Sequence, residues 1–418
     1  MSTAKAIPYA PNLQAVATKP GTAPGVHFHA AIGYLRAFVT LLVLAHHAVL
    51  AYHPFAPAPQ ASLVTEPRMW QAFPVVDTQR WTGFSMLVGF NDAFFMSLMF
   101  FLSGLFVWNS LQRKGAGNFV RDRLLRLGVP FLVAAALLAP LAYYPAYLQT
   151  GGSGWLGFWK QWFSLGNWPA GPAWFIWVLL AFDCVAAGLF RLWPKFGATL
   201  SRISSGGSRR PAAFFGLLLL LSAAAYIPVA LAFTPYRWSA FGPFTFQTAR
   251  ILHYLLYFLV GIGVGAHGLG VQGTDRGFLA SGGNLAKRWW LWLVAAPLAF
   301  GLAAAAFILA MMPHASPRPW EVFMDSTFVL SCATSSFACL ALFVRFMSKR
   351  GKVWDSLNTN AYGMYLIHYV FVSWLQYALL KSTLPGMAKG SVVFLGTLAL
   401  SWSVTAALRR IPALARIL

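Results

Sequence analysis

Long apolar runs separated by short polar connectors set the pattern of this chain. Runs long enough to cross a bilayer core of roughly 30 Å fall at residues 31–52, 86–109, 127–148, 172–193, 212–234, 249–267, 289–311, 322–346, 359–380 and 391–408. They predict an all-α polytopic membrane fold of about ten transmembrane helices. The connector 201–210 is short, basic and rich in Ser and Gly. The longest connector, 53–83, carries Pro54, Pro57, Pro59, Pro67 and Pro74, and at that length it is a candidate for part of an external substrate site. The segment 151–171 holds Trp155, Trp159, Trp162 and Trp168 with Phe158 and Phe163. These aromatics read either as an interfacial belt or as a platform on which a sugar stacks. The runs do not divide into the two inverted halves that many secondary transporters show.

Composition supports this reading and excludes others. The chain is 58% hydrophobic and 10% charged, against roughly 25% charged for soluble domains, so lipid must solvate most of its surface. Its net charge of +22 would suit a nucleic-acid binder, but the distribution argues for topology. Twenty-two Lys and Arg residues fall in connectors and tails on one side, eight on the other, and Arg36 lies inside the first run. By the positive-inside rule both termini are cytoplasmic, no nucleic-acid partner is expected, and the same face attracts anionic membrane lipids. Residues 1–30, rich in Ala, Pro and Thr, lack the apolar centre of a signal peptide and read as a disordered cytoplasmic tail. Residues 31–410 form one membrane domain and 411–418 a short second tail. Cys184, Cys332 and Cys339 lie in apolar stretches without metal-ligand spacing and read as small core residues; no metal site is expected.

Ionisable groups at membrane depth are costly and therefore mark function. Arg36 and His47 are eleven positions apart in the first run, close to three helical turns, which puts both on one face about 16 Å apart. His46 points about 100° away, and a one-residue change of register exchanges the two histidines. Each histidine also has the plainer reading of a hydrogen-bonded core residue. Arg123 and Arg126, followed by Pro130, are spaced to form a phosphate clamp from one side of a helix start; topology signal with snorkelling is the plainer account. Acids at depth are few, namely Asp92, Asp183 and Asp325. Asp92 reads either as the carboxylate that orients a histidine or as a helix N-cap.

Several segments together resemble the acyltransferase family 3 membrane proteins. Arg36 and His47 are similar to its arginine and histidine separated by ten residues, and Phe100-Phe101-Leu102-Ser103-Gly104-Leu105-Phe106 to its aromatic Ser-Gly segment. Arg123 and Arg126 resemble its paired arginines, Gly171-Pro172-Ala173-Trp174-Phe175 a later helix opening, and Ala361-Tyr362-Gly363-Met364-Tyr365-Leu366-Ile367-His368 a near-terminal segment. The resemblance covers residues 31–380 and implies an enzyme of the bacterial inner membrane. Such an enzyme transfers an acyl group, as in O-acetylation, from cytoplasmic acyl-coenzyme A to a hydroxyl of an external polysaccharide or lipid-linked sugar. It implies His47 as general base or acyl-handling residue, Arg36 as its partner at depth, and Arg123 with Arg126 as holders of the coenzyme phosphates. Asp92 is then expected at the catalytic site, and His46, Trp174, Tyr365 and His368 at the substrate. One departure stands out: relatives place an acid just before the two phenylalanines, where this chain has Ser97, Leu98 and Met99. The alternative from another class is a transporter or flippase, which the scarcity of intramembrane acids disfavours.

Overall fold

The computed structural model describes residues 24–268, 277–313 and 316–418. The chain begins with α1 (Pro24–Val49) and α2 (Gly83–Gly104). A long third segment follows, built from α3 (Val107–Arg123), α4 (Val129–Val133) and α5 (Ala139–Gln149) and joined by π-helical turns at Leu124–Gly128 and Ala134–Leu138. Next come α6 (Trp155–Phe163), α7 (Trp174–Leu192), α8 (Phe196–Arg209) and α9 (Pro211–Phe233). Strands β1 (Trp238–Phe241) and β2 (Phe244–Gln247) pair antiparallel as a small hairpin before α10 (Ile251–Gly268). The chain ends with α11 (Asn284–Lys287), α12 (Trp289–Ala310), α13 (Arg318–Phe346), α14 (Lys352–Ala378), α15 (Gly386–Leu408) and α16 (Pro412–Ala415). The expected N-terminal tail lies outside the described residues up to 23, whereas 24–30 already belong to α1.

Among the described residues, nine helices are long and apolar enough to cross a membrane. The remaining predicted run falls in α14, 27 residues long but too polar to stand with the nine. Its packing shows that it crosses nevertheless. Tyr34 donates to Asp355 (2.6 Å), Arg36 to Asn358 (3.1 Å), and further along His47 meets His368 (3.3 Å). Residue numbers rise together on both helices, so α14 lies parallel to α1 and spans whatever α1 spans. With α14 added to the nine, the described residues hold ten candidate spans.

Prolines in the third segment create the sockets that receive α14. A proline gives no N–H to the carbonyl four residues earlier. Pro130 thus releases the Arg126 carbonyl, which accepts the Tyr362 hydroxyl (2.7 Å), and Pro145 releases that of Leu141, which accepts Trp374 Nε1 (3.0 Å). The aromatic Ser-Gly segment serves a different contact. A Cβ on Gly104 would sit 2.2 Å from the Phe258 carbonyl, and one on Gly265 2.0 Å from that of Leu105, so α2 and α10 touch backbone to backbone, as small residues allow in membranes.

The connector 53–83 is a folded cap. Gln149 bonds both backbone groups of Val76 (2.9 and 2.6 Å), and Gln161 binds Ser62 and Leu63. Its Trp70 is buried with Tyr143, Phe158 and Trp162 in one aromatic cluster. Trp162 and Phe158 are therefore core residues of this cap rather than part of a belt or platform, although Trp155 stays 45% exposed. Two basic residues assigned to connectors by sequence are in fact buried. Arg250 pairs with Asp92, and Lys389 with Asp77 at 2.7 Å, the latter pair with side chains 0% and 1% exposed. Cys184 is exposed on α7 rather than in the core.

Breaking a buried pair strands one charge and costs about 3–5 kcal/mol. Lys389→Met is expected to lower the unfolding midpoint of the detergent-solubilised protein strongly. Adding Asp77→Asn should recover much of the loss, and a double variant as unstable as the sum of the singles would refute the coupling.

Candidate active site

α1 and α14 bring two histidines together at depth. His47 Nδ1 lies 2.9 Å from the Val43 carbonyl and 3.3 Å from His368 Nε2, and His368 Nδ1 lies 2.6 Å from the Tyr365 carbonyl. A carbonyl oxygen only accepts, so each Nδ1 carries the hydrogen in the neutral ring. His368 Nε2 is then an acceptor for the shared His47 Nδ1–H, and His47 Nε2 holds a lone pair with no hydrogen-bond partner among the described residues. His368 is fully buried and His47 half-buried. The Tyr369 ring meets His47 edge-on at 5.1 Å, and Gln376 Nε2 donates to the His47 carbonyl (2.9 Å) and that of Ala48 (3.1 Å). Ring, tautomer and backbone of His47 are all fixed.

Toward the other end of α1, Arg36 is exposed and donates to Asn358. Nearby on α14, Tyr362 holds the backbone of Arg126, six residues or about 9 Å along that helix from His368. Arg126 lines a cavity of about 440 Å³ with Arg113, Lys114, Asp122, Arg123 and Phe119. Arg123 and Arg126 are thus brought together as expected, but not at a helix start: Arg123 ends α3, and Arg126 sits in the π turn, a geometry that often marks functional sites. Lys114 is paired with Asp122, and Arg123 with the buried Asp183 at 3.1 Å. Arg113 and Arg126 are exposed.

Asp92 corrects the sequence reading. It is neither an N-cap, lying ten residues into α2, nor a partner of His47. Both its carboxylate oxygens accept from Arg250 (2.9 and 2.6 Å), whose guanidinium also binds the Asp92 carbonyl (3.0 Å) and stacks over Phe328 at 4.6 Å. His46 turns away from His368 onto Phe95, ring centroids 5.3 Å apart, and its Nδ1 is buried without a hydrogen bond.

With this geometry in view, the comparison with known families is decisive. An acyltransferase-domain profile matches residues 29–406. The chain belongs to acyltransferase family 3. It matches no curated protein and no solved structure.

The family 3 segments that carry Arg36 with His47, Arg126 and Pro172 all meet α14, whereas the aromatic Ser-Gly segment packs on α10. Gly171, at φ +56°, turns the chain so that the Pro172 carbonyl accepts the Tyr365 hydroxyl. Tyr365 is buried against Phe175. Trp174 lies apart from the histidine pair, stacked on Tyr254 (5.8 Å) and edge-on to the exposed Trp238 (5.5 Å). Sequence reasoning missed Arg250, Asn358, Tyr369 and Gln376. The last three share one side of α14 with Tyr362 and Tyr365, at spacings of three, four and seven residues, a polar stripe along a largely apolar helix that was there to be read. Arg250 stands at the mouth of its run and passes for a snorkelling residue.

The Asp92–Arg250 fork makes these two sites interdependent. Asp92→Asn and Arg250→Gln should each destabilise, and a double-mutant cycle on thermal unfolding should give a coupling of about 1–3 kcal/mol. Simple additivity would show that the fork contributes nothing.

Proposed function

We propose that this membrane acyltransferase moves an acyl group from acyl-coenzyme A, bound at the arginine-rich face, to a hydroxyl of a glycan or lipid-linked sugar presented at the opposite face. On this reading the arginine-rich face is cytoplasmic, as the basic connectors imply, and the membrane is a bacterial inner membrane. The observation that carries the proposal is the His47 imidazole, held on Nδ1 by Val43 and His368 with Nε2 left free.

The chemistry follows from that arrangement. His47 Nε2 takes the proton of the acceptor hydroxyl as its oxygen attacks the thioester carbonyl carbon. A C–O bond forms, the C–S bond breaks, and the departing coenzyme thiolate takes up the proton that His47 received. His368 accepts from Nδ1–H throughout and so supports the imidazolium while it exists. Arg113, Arg123 and Arg126 surround the donor phosphates, and Arg36, bonded to Asn358, stands toward the same end of α14. Tyr365, bonded to Pro172, positions α14 rather than touching substrate. His46 and Trp174 stand on the acceptor side. Family membership favours group transfer over the transporter alternative.

Mass spectrometry of envelope glycans and lipids from cells with and without the intact gene tests the reading. A discrete acyl mass should be lost on deletion and in His47→Ala, and transfer by the purified variant should fall by about 10²–10⁴-fold with thermal stability kept. An unchanged rate in His47→Ala would remove His47 from the mechanism.

A further inference from the structure

Asp183 has no role in the chemistry above, yet its situation is unusual. It lies midway along α7, its side chain is 1% exposed, and neither carboxylate oxygen makes a hydrogen bond among the described residues. Its chain neighbour Phe182 is buried. A carboxylate so placed is strongly disfavoured unless a cation compensates it, and that cation is Arg123, whose Nε is 3.1 Å from Asp183 Oδ2.

The same contact decides what Arg123 offers to the cavity. Its guanidinium carbon stands 4.9 Å over the Phe119 ring, and its Nε is buried toward Asp183. A planar group held on one edge by a carboxylate and on one face by a ring has only its far edge, the two Nη nitrogens, to present elsewhere. Arg123 lines the 440 Å³ cavity together with Arg113, Arg126 and Lys114. Its far edge is the fork that matches a phosphate in two parallel hydrogen bonds. Lys114, by contrast, is neutralised within the cavity by the half-exposed Asp122, and Arg113 and Arg126 are exposed and form no ion pair among the described residues.

We propose that Asp183 is a positioning residue for the donor site: it fixes Arg123 so that its Nη edge faces an anionic phosphate of the coenzyme, an arginine set in place before the donor arrives. This rests on the assignment of the cavity to the donor. Preorganisation of this kind improves affinity by removing the ordering cost from the binding step. The net charge of the cavity points the other way, because Asp183 also lowers its positive potential. The proposal commits to orientation outweighing that loss.

The test is binding of coenzyme A to the full-length protein in detergent, with the unfolding midpoint measured in parallel. Asp183→Asn is expected to weaken coenzyme A about tenfold, Arg123→Ala by at least as much, and the double variant no more than Arg123→Ala alone, since an arginine that is gone cannot be misdirected. Asp183→Glu keeps the charge, and with it the compensation of Arg123, while displacing the carboxylate. It therefore serves if Asp183→Asn does not fold, and it should bind several-fold more weakly than the unmodified protein. Unchanged or tighter binding in Asp183→Asn or Asp183→Glu, with Arg123→Ala weakened, overturns the positioning role and leaves the donor site standing. Losses that multiply in the double variant overturn it too. Unchanged binding in Arg123→Ala overturns the donor assignment itself.

Discussion

The buried polar groups of α14 are the constraint around which the bundle is built. Asn360, His368, Ser373 and Gln376 are buried on a helix that crosses the bilayer, and such groups facing lipid would each cost at least a few kcal/mol. Each finds a partner inside the protein. Asn360 and Ser373 bond carbonyls of α14 itself, at Ser356 and Tyr369. Gln376 binds the carbonyls of His47 and Ala48, near the end of α1, where a helix lacks its own donors. The side chain that closes the end of α1 therefore also fixes the backbone of the proposed base.

The third segment answers the same constraint from the other side. A regular helix offers a neighbour few backbone acceptors, because most of its carbonyls are used internally. Pro130 and Pro145 open two of them, and Tyr362 and Trp374, twelve residues apart on α14, occupy them. The π turn that follows Arg123 belongs to this arrangement, so the irregularity that anchors α14 also shapes the arginine cavity. Binding architecture and helix packing are here one feature.

Much of this was legible in the chain. Lipid solvation, helix count and the shared face of Arg36 and His47 follow from apolar length and helical period alone, and the order of the polar segments identifies the family. What escaped is pairing between distant segments. Nothing local in the sequence says that Asp92 belongs to Arg250, 158 positions away, or that Asp77 belongs to Lys389. A carboxylate that serves a histidine on a neighbouring helix is one reading of Asp92 from sequence, but its hydrogen bonds go to a bidentate guanidinium, the stronger partner for a carboxylate at depth. The tryptophan-rich segment misled for a related reason. Its aromatics look exposed while the cap over them is taken for an unstructured connector.

These pairings bear on the chemistry. Carboxylates at Asp77, Asp92 and Asp183 compensate a lysine and two arginines, whereas the hydrogen bonds of the His47 ring, among the described residues, go to a carbonyl and a neutral imidazole. An aspartate partner would favour a charged His47 before substrate arrived and so remove the free lone pair on Nε2. Neutral partners keep the ring unprotonated, and they make its orientation depend on geometry instead of charge. That geometry is the register of α1 against α14: a slip of one residue, about 1.5 Å, would part His47 from His368 and Gln376 together. The anchors along both helices, Tyr34 to Asp355, Arg36 to Asn358 and Gln376 to His47, hold that register from end to end. On the proposed mechanism, the accuracy of the base is therefore set by contacts more than three helical turns away from it.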